Sequence, residues 1–210
     1  MKQLVEQSDK NSPREYDQIF HERAKSEPHW QDIRRWKTLL KYYKGGNLTD
    51  IGCLDSLIYR LANSEYMGDC KYMGTDMAKE AIKQMKAKNP YSNCDFIVDD
   101  IYDSKIVDEV SDYTILGEVL EHLDRPKEAV KEAFRITKTG GILAISVPLE
   151  EAKEPGAVDK ERHLWSFSGK DIEDLVGQFS SKIKFKVLSS KWFPKYSYCF
   201  PQLLTWSWKK

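Results

Sequence analysis

The chain has 210 residues, with 33 Lys+Arg against 33 Asp+Glu, a length that fits one domain. Its 40% apolar and 12% aromatic content supplies a core and excludes wholesale disorder, and no apolar run approaches the ~20 residues of a membrane-spanning helix. The zero net charge is a sum of unlike parts: +3 over residues 1–44, −10 over 45–180 and +7 over 181–210, where seven lysines stand without an acid. The opening MKQLVEQSDKNSPREYDQ lacks the apolar stretch of a secretory signal. Four cysteines at intervals of 17, 24 and 105 residues form no CxxC pair. A zinc knuckle and a disulfide framework are thereby disfavoured, and the thiols read as reduced and the protein as cytoplasmic.

Residues 1–44 read as helical, with Trp30, Ile33, Trp36, Leu39, Leu40 and Tyr43 at spacings of three and four. Gly45-Gly46-Asn47 stops that helix. Short apolar runs then alternate with helical stretches. Strands are expected over 48–51, 72–75, 95–98, 113–116 and 142–147. Helices are expected to open at 57–62 and to fill 78–88 and 126–137, and Thr139-Gly140-Gly141 is a turn. Short buried strands separated by helices pair in parallel, with helices on both faces of the sheet. After an acidic helix over 169–178, the segments 183–188 and 203–208 alternate as strands. With no helix between them they form an antiparallel hairpin. The expected fold is a doubly wound α/β sheet of seven strands, mostly parallel, with that hairpin at one edge.

In open α/β sheets the ligand lies beyond the carboxyl ends of the strands, where strand order reverses. Those ends carry Asp50-Ile51-Gly52-Cys53-Leu54, Asp76-Met77, Asp99-Asp100-Ile101 and Gly117-Glu118-Val119-Leu120-Glu121-His122. A dinucleotide fingerprint needs three glycines; Gly52 is present, but Leu54 and Leu57 hold the other places. Carboxylates suit hydroxyls and amines better than phosphates. A ligand with a ribose diol, an exocyclic amine and an ammonium fits, and S-adenosylmethionine is such a ligand. Cys53 reads as a small buried filler, because nothing near it in sequence supplies a base.

The segments NLTDIGC (47–53), YMGTDMAKEAI (72–82), FIVDDIYD (96–103), SDYTILGEVLEHLDRPKEAVKEAFRITKTGGILAISVP (111–148) and HLWSFSGKDIEDLV (163–176) resemble the class I S-adenosylmethionine-dependent methyltransferases of small-molecule type, in order over 47–176. The resemblance divides the chain into an N-terminal helical segment, 1–44, and a methyltransferase domain, 45–210, within one globular unit. It implies that Asp50 and Gly52 pass the methionine half of the cofactor and that Asp76 holds the ribose hydroxyls, with Met77 on the adenine face. It further implies that Asp100 accepts from the adenine amine beside the N–H of Ile101, and that Gly117 lies by the sulfonium. The chain departs from the family at Leu54 and Ser56, where further glycines are usual.

Glu118, Glu121 and His122, read as the first turn of a helix, share one face. His163 lies on a connection that passes the same cleft. Two carboxylates and two imidazoles make a divalent-metal set, and ExxEH with a later His resembles the magnesium site of small-RNA 2′-O-methyltransferases and some ubiquinone-pathway O-methyltransferases. The other reading of these residues is a polar helix start, with His122 or His163 as general base toward an acceptor hydroxyl. The expected reaction is methyl transfer to oxygen ahead of nitrogen, on a small-molecule acceptor. The alternative is a degenerate fold that binds or scaffolds without catalysis. The basic aromatic stretch Lys191–Phe200 caps the core or docks an anionic partner, nucleic acid or lipid.

Overall fold

The computed structural model describes residues 1–4, 11–23, 30–54, 58, 70–149, 162–188 and 201–210. Within them the chain runs β1 (Lys2–Gln3), α1 (Pro13–Arg23), α2 (Trp30–Leu39), β2 (Asn47–Ile51), β3 (Lys71–Asp76), α3 (Lys79–Lys88), β4 (Cys94–Val98), β5 (Ser111–Gly117), α4 (Pro126–Ile136), β6 (Thr137–Pro148), β7 (Trp165–Ser166), α5 (Gly169–Gly177), β8 (Ser180–Leu188) and β9 (Gln202–Lys209). Turns of 3-10 helix occupy Leu40–Tyr42 and Leu120–His122. The helix expected from 57 and the aromatic stretch Lys191–Phe200 fall outside the described residues, apart from Ile58. No helix of the described residues is long and apolar enough to cross a membrane.

Seven strands form one sheet in the order β4-β3-β2-β5-β6-β9-β8. The first five are parallel, and β9 and β8 are antiparallel additions. Strand order reverses between β2 and β5, so the crevice lies over the carboxyl ends of those two strands. The C-terminal hairpin forms as expected, but its second strand lies inside: β9 sits between β6 and β8, which leaves β8 at the edge. The Thr139-Gly140-Gly141 turn lies within β6, not before it. Ser111 pairs with Thr137 and Tyr113 already with Ile142, so the extra residues bulge out, with Gly140 at φ +78°. A two-residue ladder between β1 and β7 was too short to be seen in the sequence pattern.

The sheet is buried on both faces, which is why β5 and β6 read as continuous apolar runs. On one face Phe20 of α1, Leu39 of α2 and Ala81 and Ile82 of α3 pack with Leu48, Tyr72, Phe96, Ile115 and Trp206. On the other, Val130 and Phe134 of α4 and Ile172 and Val176 of α5 pack with Leu116, Leu143 and Ile145. The end of α2 is fastened to the sheet by one carbonyl. Leu39 O accepts from the Trp206 indole N–H at 2.8 Å and from the Tyr113 hydroxyl, filling both lone pairs of a group that the helix end leaves without a partner. Helix α5 begins with a capping box between Ser168 and Asp171, and Asp171 also pairs with the ammonium of Met1.

Candidate active site at the carboxyl ends of the strands

The loop after β2 is held against the end of β3 by backbone hydrogen bonds. The N–H groups of Gly52 and Cys53 both donate to Thr75 O, at 2.8 and 2.9 Å. Gly52 has φ +73°, and a Cβ there would lie 2.5 Å from Val119 Cγ2. Conformation and space both require glycine at this position. Leu54 also takes a left-handed conformation, φ +41°, which costs an L-residue about 1–2 kcal/mol. It fills the place where the family carries glycine, and its side chain is buried in the first core cluster. Leu54→Gly is therefore expected to relieve strain yet lose more in burial, a net destabilisation of about 1 kcal/mol. Chemical denaturation measures the loss, and calorimetry with S-adenosylhomocysteine should find affinity within about twofold of the parent.

Asp76 organises this end of the sheet. Its Oδ2 accepts from the Leu54 N–H and its Oδ1 from the Ala78 N–H, each at 2.9 Å. The residue is only 7% exposed. Burial pushes its carboxyl above the usual range, against the N–H groups of Ala78 and Leu54, which draw it down. A carboxylate has about four lone-pair sites; the Met77 N–H also acts on this one, and acceptor capacity remains for a ligand. Met77, half-buried, follows it at the lip of the cleft. Asp50 lies within β2, buried, with its Oδ2 accepting from the Tyr72 hydroxyl at 2.9 Å. Asp100 is exposed after β4, with its Oδ1 on the Tyr102 N–H, and Ile101 beside it is buried in the second core cluster.

Gly117 ends β5 under the ring of Trp36. A Cβ at Gly117 would stand 2.3 Å from two ring carbons of that indole, so α2 closes over the crevice at this point. Sequence periodicity placed Trp36 on a helix face but gave no indication of what it covers.

One expectation is corrected here. Residues 118–122 do not form the first turn of an α-helix, so Glu118 does not share a face with Glu121 and His122. Glu118 has φ +58°, and its carboxylate turns to the Ser146 hydroxyl at 2.9 Å and to Arg35 at 3.3 Å. The donor group that does come together is Glu121, His122 and His163, with ligand atoms all within 4.8 Å of one another. Glu121 is 1% exposed. The His122 and His163 rings lie edge to face at 4.7 Å. His122 Nδ1 is 3.0 Å from Arg162 O. A carbonyl only accepts, so Nδ1 is the nitrogen that donates to it. Asn11, which sequence reasoning passed over, braces this corner: its amide donates to both His122 O and Arg162 O.

Residues 49–145 match the model of a methyltransferase domain family. A tRNA (carboxymethyluridine(34)-5-O)-methyltransferase of Arabidopsis thaliana is 26% identical over 178 residues, covering 79% of this chain and 40% of that protein. The chain spans less than half the length of the curated relatives it matches. Among solved structures, the complex between the Haloferax volcanii Trm112 methyltransferase activator and a methyltransferase contains a similar fold. Its TM-score is 0.71 at 16% identity, covering 97% of this chain and 98% of that one. A SAM-dependent methyltransferase from Thermotoga maritima gives a TM-score of 0.69 at 16% identity, with 93% and 98% coverage. With its sheet order, its glycine loop bound to the end of β3 and these likenesses, the chain has the fold of the class I S-adenosylmethionine-dependent methyltransferases and carries a methyltransferase-domain match over residues 49–145.

Proposed function

We propose that the chain transfers the methyl group of S-adenosylmethionine to a hydroxyl oxygen. The observation that carries this reading is the meeting of the Gly52–Leu54 loop, Asp76 and Gly117 at adjacent strand ends, with His122 on the segment that follows β5, its ring oriented through Nδ1 toward Arg162 O. The resemblance assigns Asp50 and Gly52 to the methionine half, Asp76 and Met77 to the ribose and adenine face, Asp100 and Ile101 to the adenine edge and Gly117 to the sulfonium. The sulfonium supplies an activated methyl group, so the chain's own work is to align the acceptor and exclude water. Deprotonating the acceptor falls to His122 or His163. The Arabidopsis relative is named for transfer to oxygen, which supports oxygen over nitrogen. Calorimetry with S-adenosylhomocysteine is the direct test, and absence of heat would remove the reading.

A second reading is favoured by the covered cleft. With Asp76 nearly buried and Trp36 lying on Gly117, the fold could bind or scaffold without turnover. Cofactor binding without methyl transfer to any hydroxyl acceptor would support this alternative.

The three-member group Glu121, His122 and His163 has the chemistry of a divalent-metal site. It offers one carboxylate and two imidazoles, with the second nitrogen of His122 anchored to a backbone carbonyl as metal-bound histidines are. These residues would hold the ion, which would lower the pKa of an acceptor hydroxyl. Two imidazoles suit zinc, iron or manganese better than magnesium. If metal is required, EDTA should abolish transfer, manganese should restore it, and His163→Ala should lower the metal content of the purified protein. Unchanged activity after exhaustive chelation would leave the histidines as proton acceptors only.

A further inference from the structure

One face of the molecule concentrates positive charge outside the cleft. Arg34, Lys37 and Lys41 lie one helical turn apart along the outer side of α2 and the turn that follows it, all exposed. With Ile33, Thr38 and Lys186 they line an open groove of about 540 Å³ between α2 and β8. The row continues along β8. Residues two apart share a face of a strand and lie ~7 Å apart, so Lys186, Lys184 and Lys182 point to the same side.

Aromatic rings lie among these cations. Lys184 Nζ stands 4.9 Å from the Tyr42 ring centre and 6.0 Å from that of Trp208, Lys182 stands 5.1 Å from Trp208, and Lys41 5.2 Å from Tyr42. Both rings are half-buried. Among the described residues, no carboxylate pairs with Arg34, Lys41, Lys182, Lys184 or Lys186. Desolvation raises the Tyr42 phenol, but Lys184 and Lys41 outweigh it and draw its pKa below the usual value. Residues 45–180, by contrast, carry a net −10.

We infer that the α2–β8 face is a docking track for single-stranded RNA, whose phosphates lie along the lysine rows and whose bases stack against Tyr42 and Trp208. A positive groove with aromatic rings along its wall is the chemistry that binds single strands without reading sequence. A membrane surface would instead need large apolar side chains projecting from the charged face. The exposed apolar residues of β8, Phe185 and Val187, belong to the opposite face by strand alternation. The same helix that lines the track carries Trp36 over Gly117, so RNA held there runs beside the cleft. The inference rests on the methyl-transfer reading only in naming RNA as the class of acceptor; the docking itself is tested by binding.

The test measures binding of a short oligouridylate and of unfractionated tRNA over a range of salt, by the parent and by Arg34→Glu/Lys37→Glu/Lys41→Glu. The parent should bind both RNAs at low salt. The triple variant should bind at least about tenfold more weakly, with a salt dependence shallower by about two, at ~0.7 per phosphate contact on single strands. An unchanged thermal midpoint would establish that the variant is folded, and Lys186→Glu alone provides a milder version on the other wall. Parent protein that ignores RNA, or a triple variant that binds as well as the parent, overturns the track. So does preference for phosphatidylcholine vesicles containing phosphatidylserine over RNA. S-adenosylhomocysteine binding by the parent is measured separately, so loss of the methyl-transfer reading and loss of the RNA track register in different experiments.

Discussion

Asp76→Ala is expected to lower affinity for S-adenosylhomocysteine by about ten- to a hundredfold, the effect of losing hydrogen bonds to a charged group worth about 1.5–3 kcal/mol. The same substitution should destabilise the apo protein. The N–H groups of Leu54 and Ala78 both depend on the Asp76 carboxylate, and each buried donor left unsatisfied costs about 1–3 kcal/mol. Calorimetry and chemical denaturation of one protein separate the two losses. Asp76→Ala that loses stability but binds as tightly as the parent would make Asp76 a loop anchor and would remove it from the cofactor site. A pH series adds a signed check. The carboxyl is raised in the folded state by burial, so the folded protein holds this proton more readily than the unfolded chain. Its contribution to stability is full below the unfolded value of about 3.9 and is lost as pH rises through the folded value. Asp76→Asn, which cannot ionise, should remove that component of the pH profile.

The second large effect is structural. Trp206→Ala is expected to cost about 3–5 kcal/mol, a large share of the 5–15 kcal/mol that holds a typical domain. The side chain is 2% exposed at the centre of β9. It packs in the first core cluster, meets Tyr42 edge to face at 5.1 Å and donates to Leu39 O. Its loss therefore loosens α2 as well as the sheet. Trp206→Phe retains most of the apolar contact and loses the hydrogen bond, so it should cost about 1 kcal/mol more than any repacking alone. Urea denaturation of both variants measures the difference. Equal losses for Ala and Phe would mean that the bond to Leu39, and not the packing, carries the effect.

The strand ends were legible because their chemistry is local. An Asp or Gly directly after a short apolar run identifies itself, and Gly52 and Asp76 do lie at the ends of β2 and β3. Glu118 was misread because the i, i+3, i+4 argument assumes α-helix from its first residue. The partner that turns its carboxylate away, Arg35, is 83 residues earlier in the chain, and no spacing rule reaches that far. Trp36 over Gly117 escaped for the same reason. The place of β9 inside the sheet was hidden because period-two alternation assigns the faces of a strand but not its neighbours.

The position of β9 also bears on how the molecule forms. Residues 202–209 are translated after every other strand of the sheet, yet they join β6 to β8. Until they emerge, β6 presents an unpaired apolar edge from Ile142 to Pro148, and β8 has no strand to join. An open edge of that kind invites pairing with other chains, and domains caught partway are the species that aggregate. A ribosome stalled short of residue 202 would thus hold a chain with five parallel strands in place and its most adhesive edge bare, a period in which a holding chaperone would matter more than at any later time.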